Sequence, residues 1–176
     1  VVLALGAAAC VGDGGGTATT TTDRSTTSTS STTTAPERPA STTTTAYDPA
    51  AVEGQVEAAY LKSWDVYAEA VYNLKLDEHT LAEVFAEDHL ATKRNEIQGR
   101  IDEGRASWVR VEHNYTIQLV DTSTAIVVDR YRNHQVLIDP ETKEPIEADP
   151  DQELADAVTL RFIDGSWRVV LKERVS

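Results

Sequence analysis

Four side chains have the types from which proton-transfer chemistry is made: Tyr60, His113, Asp129 and Tyr131. A carboxylate beside an imidazole or phenol can move a proton, provided burial brings one pKa toward neutrality. His113 lies where Val109, Val111, His113, Tyr115, Ile117 and Leu119 alternate with Arg110, Glu112, Asn114, Thr116 and Gln118. That period of two marks a strand with one buried and one wet face, and His113 falls on the apolar side. Asp129 and Tyr131 belong to a second strand that follows Asp121-Thr122-Ser123. The plainer reading of His113 is a hydrogen-bonded core residue, which is the commoner fate of a lone His on such a face.

A two-residue turn at Thr122-Ser123 would set Leu119 opposite Ile126, Ile117 opposite Val128 and Val109 opposite Val136. It would also put Arg130 and Arg132 on the buried face, where unpaired charge is costly. Either the second strand has a bulge that turns Asp129 and Tyr131 inward, or the face opens into a polar pocket. The expectation is the bulge, because long curved sheets need one. His113, Asp129 and Tyr131 then converge under Tyr60, in a lining shared with Tyr67, Val111, Tyr115, Ile117 and Val128. Arg130 and Arg132 are expected to hold the Asp129 carboxyl at low pKa, which makes it a poor base. Such a lining suits a binding site better than an active site: a few polar groups orient a ligand in an apolar cavity.

The elements that position these residues can be read in order. Asp48 is an N-cap and Pro49 the first residue of a long helix. Its apolar stripe runs through Val52, Val56, Ala59, Tyr60, Trp64, Tyr67, Val71 and Leu74. A short helix begins at Asp77 or Glu78, and a third carries Leu90, Ile97 and Ile101 up to a left-handed stop at Gly104. His79 and His89 fall near helix starts and read as solvated. After the strand pair, residues 139–153 hold seven carboxylates against Lys143 alone, which reads as a solvated loop. Asp149-Pro-Asp151-Gln-Glu153 hints at a calcium loop, but Leu154 stands where the sharp-turn Gly belongs. Val158, Leu160 and Phe162 mark a third strand, Asp164-Gly165 a hairpin turn, and Trp167, Val169 and Leu171 a fourth strand.

Composition sets the bounds. The chain has 176 residues, a net charge of −13 and one Cys. No nucleic-acid partner is expected, since neutralising phosphates takes a basic face. One Cys forms no internal disulfide, so the fold rests on its core. There is no Gly-rich phosphate loop, nucleophile elbow or Cys/His metal spacing, and no cofactor or metal is expected.

The amino-terminal part has a different character. Val1 to Ala9 is apolar and small, too short to span about 30 Å of hydrocarbon as a helix. It fits the apolar region of a secretory signal, and the chain as given is expected to start inside one. Cys10 follows, and Ala7-Ala8-Ala9-Cys10 resembles the lipobox of bacterial lipoproteins, with Ala7 where Leu is commonest. That resemblance implies lipid attachment at Cys10 and a place on the extracytoplasmic face of the cell membrane. Residues 11–46 form a linker; across 17–45, Thr and Ser fill 20 of 29 positions, too few apolar groups to offset the entropy of ordering.

Residues 47–176 thus read as one α+β domain, with three N-terminal helices packed on a curved four-stranded antiparallel sheet. With Gly104, Asp129-Arg-Tyr131, Thr159-Leu-Arg-Phe162 and Asp164-Gly-Ser-Trp167, this order resembles the nuclear-transport-factor-2-like, or cystatin-like, cone. Ketosteroid isomerase, scytalone dehydratase and many actinobacterial envelope lipoproteins share that cone. The resemblance implies a fold and transfers no catalytic residue. Three functions are compatible with it: a tethered module binding a small apolar ligand or an envelope protein, an accessory of a lipid-transport-like envelope assembly, and an isomerase- or dehydratase-like enzyme.

Overall fold

Asp48 accepts a hydrogen bond from the Ala50 N–H and starts α1, Pro49–Asn73, as its capping chemistry predicts. The computed structural model describes residues 48–148 and 151–175. Cys10 and the 11–46 linker lie outside the described residues. Leu74 takes a left-handed conformation after α1, and Asp77 caps α2, Glu78–Val84, through the Thr80 N–H. Phe85 and Ala86 interrupt the helices, and α3 runs Glu87–Asp102. Gly104, at φ 65°, turns the chain out of α3 into the sheet. No helix among the described residues is long and apolar enough to cross a membrane.

The first expected strand is broken into β1 (Ala106–Trp108), β2 (Val111–Glu112) and β3 (Tyr115–Leu119). The second is split into β4 (Thr124–Asn133) and β5 (Val136–Ile138). Within the acidic segment, Pro145–Ala148 forms an exposed strand, β6, where a loop was expected. β7 (Gln152–Ile163) and β8 (Ser166–Arg174) complete the set, joined at Asp164-Gly165 with both φ angles positive, as a tight hairpin demands. The pairings between these strands are antiparallel: β1, β5 and β6 make a three-stranded sheet, and β2 and β3 share one side of β4 in a five-stranded sheet continued by β7 and β8, to which Phe85 adds a single parallel bridge at Val169. Among the described residues, eight strands in two sheets therefore replace the four of one sheet.

The register corrects the expected one by a single residue. Leu119 pairs with Ala125, Ile117 with Val127 and Tyr115 with Asp129, and the same offset holds back to Trp108 opposite Val136. The cause is the turn. Asp121 accepts from the Ser123 N–H and Oγ, which holds a wider loop than two residues. A one-residue change swaps the faces of the partner strand. Ala125, Val127, Asp129 and Tyr131 are buried as a result, while Val128 is exposed on the outer face. Asp129 and Tyr131 reach the inside without any bulge in β4.

Register shifts occur instead between β5 and β6, at Leu137–Ile138, and in β8. Thr159 pairs with Leu171 and Leu160 with Val169, so Val170 has no partner. The extra residue reverses the alternation. Trp167 and Val169 point into the core, but beyond Val170 it is Lys172 and Arg174 that turn inward, and Leu171 is exposed. The core joins Val56, Tyr60, Tyr67 and Val71 of α1 with Leu81, Phe85 and Ile97 to Ala125, Val127, Val158, Leu160 and Val169 of the sheet. Each such aliphatic side chain contributes about 1.5–3 kcal/mol by burial.

Candidate functional site

Period-two alternation on β4 carries Asp129 to the inner face two residues after Val127, under the helix that bears Tyr60. Its carboxylate is fully buried and meets three donors. Tyr60 Oη donates to Oδ2 at 2.7 Å, His113 Nδ1 lies 2.6 Å from the same oxygen, and the Asn114 N–H donates to Oδ1 at 2.9 Å. The last contact depends on the break between β2 and β3, which frees the Asn114 N–H from the ladder. Burial alone would raise the Asp129 pKa; the hydrogen bonds from His113, Tyr60 and Asn114 outweigh it and hold the carboxyl below its usual value. The expected low pKa is present, but not through Arg130 and Arg132, which alternation sends to the exposed side.

An ionised carboxylate only accepts, so His113 carries its proton on Nδ1 and in the neutral ring its lone pair on Nε2. The imidazole packs edge-on against Tyr60 and Trp64, at centroid distances of 5.7 and 5.4 Å. Burial, and then Asp129, push the Tyr60 phenol far above its ordinary pKa. Tyr115 reaches out to Glu57 and is pushed up to about 12 by that hydrogen bond.

Tyr131 shares the face but not the partner. Its hydroxyl donates to Asp156 Oδ2 at 2.6 Å. Asp156 is buried too, and Lys172 Nζ and Arg174 Nε approach it to 2.8 and 2.7 Å. Oδ1 is left without a hydrogen-bond donor, so the Arg174 contact is ionic rather than hydrogen-bonded. Lys172 also lies over the rings of Trp64 and Tyr131, at 4.5 and 5.2 Å. Burial lowers its pKa against the opposing pull of Asp156. Burial likewise drives His89, expected to be solvated, down to about 4, with Lys93 and Lys172 adding to the shift.

Of the four expected residues, Tyr60, His113 and Asp129 therefore meet directly, and Tyr131 belongs to an adjoining cluster. Sequence reasoning missed Asp156, Lys172 and Arg174. A signal for Asp156 was available, since it precedes Val158 and Leu160 at the same period of two. Lys172 and Arg174 carried none, because their inward pose depends on the bulge. Tyr60 and Asp129 are enclosed, but a groove of about 400 Å³ opens beside His113 and Tyr131, lined with them by Glu112, Arg130, Arg132 and Glu153. The cavity lined by Trp64, Tyr67, Phe85 and His89 measures about 30 Å³, against about 300–1,000 Å³ for small-molecule sites. Among the described residues no group of three or more His, Cys, Asp or Glu is placed to hold a metal ion.

The architecture is a mixed α+β domain of three helices on antiparallel sheets, and it has solved counterparts. No protein-family model matches the chain, and no curated protein matches it. The intermembrane space region of the chloroplast protein ARC6 aligns with a TM-score of 0.57 and 13% identity, over 74% of this chain and 98% of that one. The Kfla4162 protein from Kribbella flavida aligns at 0.50 and 11%, over 73% and 92%. An NTF-2 like protein of unknown function from Shewanella oneidensis MR-1 is also matched, at 0.33 and 13%, over 71% and 93%. These likenesses concern the fold.

Proposed function

We propose that this protein is a non-catalytic binding module of the cell envelope, held at the extracytoplasmic membrane face by a lipid on Cys10, and that it binds on its outside. The carrying observation is the enclosed and saturated carboxylate of Asp129. Asp129 is held ionised at low pKa by three donors, so it is a weak base and has no proton to give at neutral pH. A small apolar ligand between Trp64 and Tyr67 would have to displace one of them. The groove beside His113 is lined mainly by polar and charged side chains that an apolar ligand would leave unsatisfied. An envelope protein on the outer face meets neither obstacle. The outer sheet face offers such a partner Val128 and Leu171, both exposed. The same face favours the role of accessory in a lipid-transport-like envelope assembly, as one form of this reading.

The enzyme reading keeps one specific observation: the 2.6 Å His113–Asp129 contact, with Nε2 on a side chain that is 16% exposed. That is the geometry of an oriented general base, for an isomerase- or dehydratase-like reaction. It lacks a second group aimed at developing charge, since Tyr60 and Tyr131 are each committed to a carboxylate.

The test uses the full chain in its native membrane. Wild-type protein should sediment with membranes and release an acylated peptide containing Cys10, and Cys10→Ala should be released or left unprocessed. Wild-type protein recovered wholly soluble with a free thiol would overturn the anchor.

A further inference from the structure

Away from the buried network, the residue with the clearest ligand chemistry is Trp108. Its indole is 59% exposed at the end of β1, although a ring of that size gains more than most side chains by burial. Trp108, Arg110, Glu112, His134 and Val136 line a groove of about 280 Å³, near the lower end of the small-molecule range of about 300–1,000 Å³. Three of them come at every second position of one extended stretch, about 6–7 Å apart, so a flat apolar ring is followed by a cation and a carboxylate. The facing side is held in place by backbone: Trp108 pairs with Val136, and the His134 N–H donates to the Arg110 carbonyl at 2.9 Å.

His134 supplies the second, independent observation. Its Nδ1 is fixed by Asp151 at 2.6 Å, while Nε2 is buried, has no hydrogen-bond partner among the described residues and lies 3.5 Å from Glu112. A buried ring nitrogen left unmatched is unusual, and either a small shift of the exposed Glu112 carboxylate or a polar group entering the groove would satisfy it.

We infer that this groove binds a saccharide, with a pyranose ring of gluco configuration stacked on Trp108 and its hydroxyls held by Arg110, Glu112 and His134. In that configuration every ring substituent is equatorial. Both ring faces then present only C–H groups, which match an indole face, and the hydroxyls at the rim need donors and acceptors together. Arg110 donates, Glu112 accepts, and imidazole can do either. An apolar peptide side chain would instead desolvate these three polar groups without satisfying them. A nucleic acid is disfavoured by the net charge of −13. The inference rests on the proposed function only in placing binding on the outside of the domain. It needs no anchor, so its failure is read separately from that of Cys10 lipidation.

The test titrates the full chain with the β-1,4-linked tetramers of N-acetylglucosamine and of glucose, and with a mannose tetramer, whose axial hydroxyl spoils one ring face. Tryptophan fluorescence and calorimetry report binding. Saturable binding of at least one gluco tetramer is expected, weaker for mannose and weakened about tenfold or more in Trp108→Ala. Phe162→Ala, at another exposed ring, should bind as wild type, and the melting temperature of Trp108→Ala should be unchanged. No saturable binding to either gluco tetramer, or equal binding by Trp108→Ala, overturns the inference. So does a purified partner protein that binds through Trp108 when no saccharide does.

Discussion

Asp129 and Asp156 stand directly opposite each other on β4 and β7, and both are buried. Like charges paired across two strands destabilise a sheet unless each is compensated. Compensation here is divided. Asp129 is served by neutral donors and an imidazole, Asp156 by Lys172, Arg174 and the Tyr131 hydroxyl.

Removing the two charges should not cost the same. Asp156→Asn leaves the largely buried Lys172 ammonium without its counter-charge, the situation that typically costs about 3–5 kcal/mol. Asp129→Asn leaves mostly neutral donors around a neutral amide, and about 1–3 kcal/mol is expected. Urea titration of both variants at pH 7 measures the difference. A larger loss in Asp129→Asn would show that the imidazole, not the ammonium, dominates the electrostatics.

Tyr60→Phe removes one of the three donors that hold the Asp129 pKa down. The carboxyl pKa, followed by NMR, should rise, and stability should fall by about 1–3 kcal/mol at pH 7. The sign follows from linkage: a folded pKa below the unfolded one stabilises at pH values above the unfolded pKa, about 3.9, and this contribution is lost as pH falls through the folded pKa. Wild type and Tyr60→Phe should therefore converge in the acid limb. A constant gap down to pH 2 would mean that the hydroxyl acts through packing alone.

His89 sets a second pH dependence in a different window. Its pKa of about 4 lies below the ordinary histidine value, so between pH 6.5 and 4 the unfolded chain binds a proton that the folded one refuses. Stability should be full above about pH 6.5 and decline toward pH 4, by on the order of 2–3 kcal/mol. His89→Phe should flatten that decline. An unchanged slope in its thermal melts from pH 7 to pH 4 would assign the loss to other groups.

The hairpin register has its own test in neighbouring valines. Val127 is fully buried and Val128 is 37% exposed, the reverse of what a two-residue turn would give. Val127→Asp should destabilise by about 2–4 kcal/mol more than Val128→Asp, because only the former buries an unpaired carboxylate. Equal midpoints in urea would return the hairpin to the shorter turn.

Local chemistry determined much of this protein. Capping by Asp48 and Asp77, the stop at Gly104, the turn at Asp164-Gly165 and the alternation through His113 each act over a few residues, and the chain alone displays them. The inward pose of Tyr60 and His113 was legible for the same reason, from one helical stripe and the parity of one strand. That of Asp129 was expected only through a bulge in the second strand, and it comes instead from the wider turn. Tertiary structure decided what parity could not carry across a turn or a bulge. The loop capped by Asp121 added to the hairpin and moved Val128 outward, and Val170 reversed the faces of β8, bringing Lys172 and Arg174 to Asp156. Each shift is a single residue wide, too small for a periodic pattern to register. It is chosen by the free energy of the assembled core, in which a buried Asp156 is tolerable only if two cations can reach it.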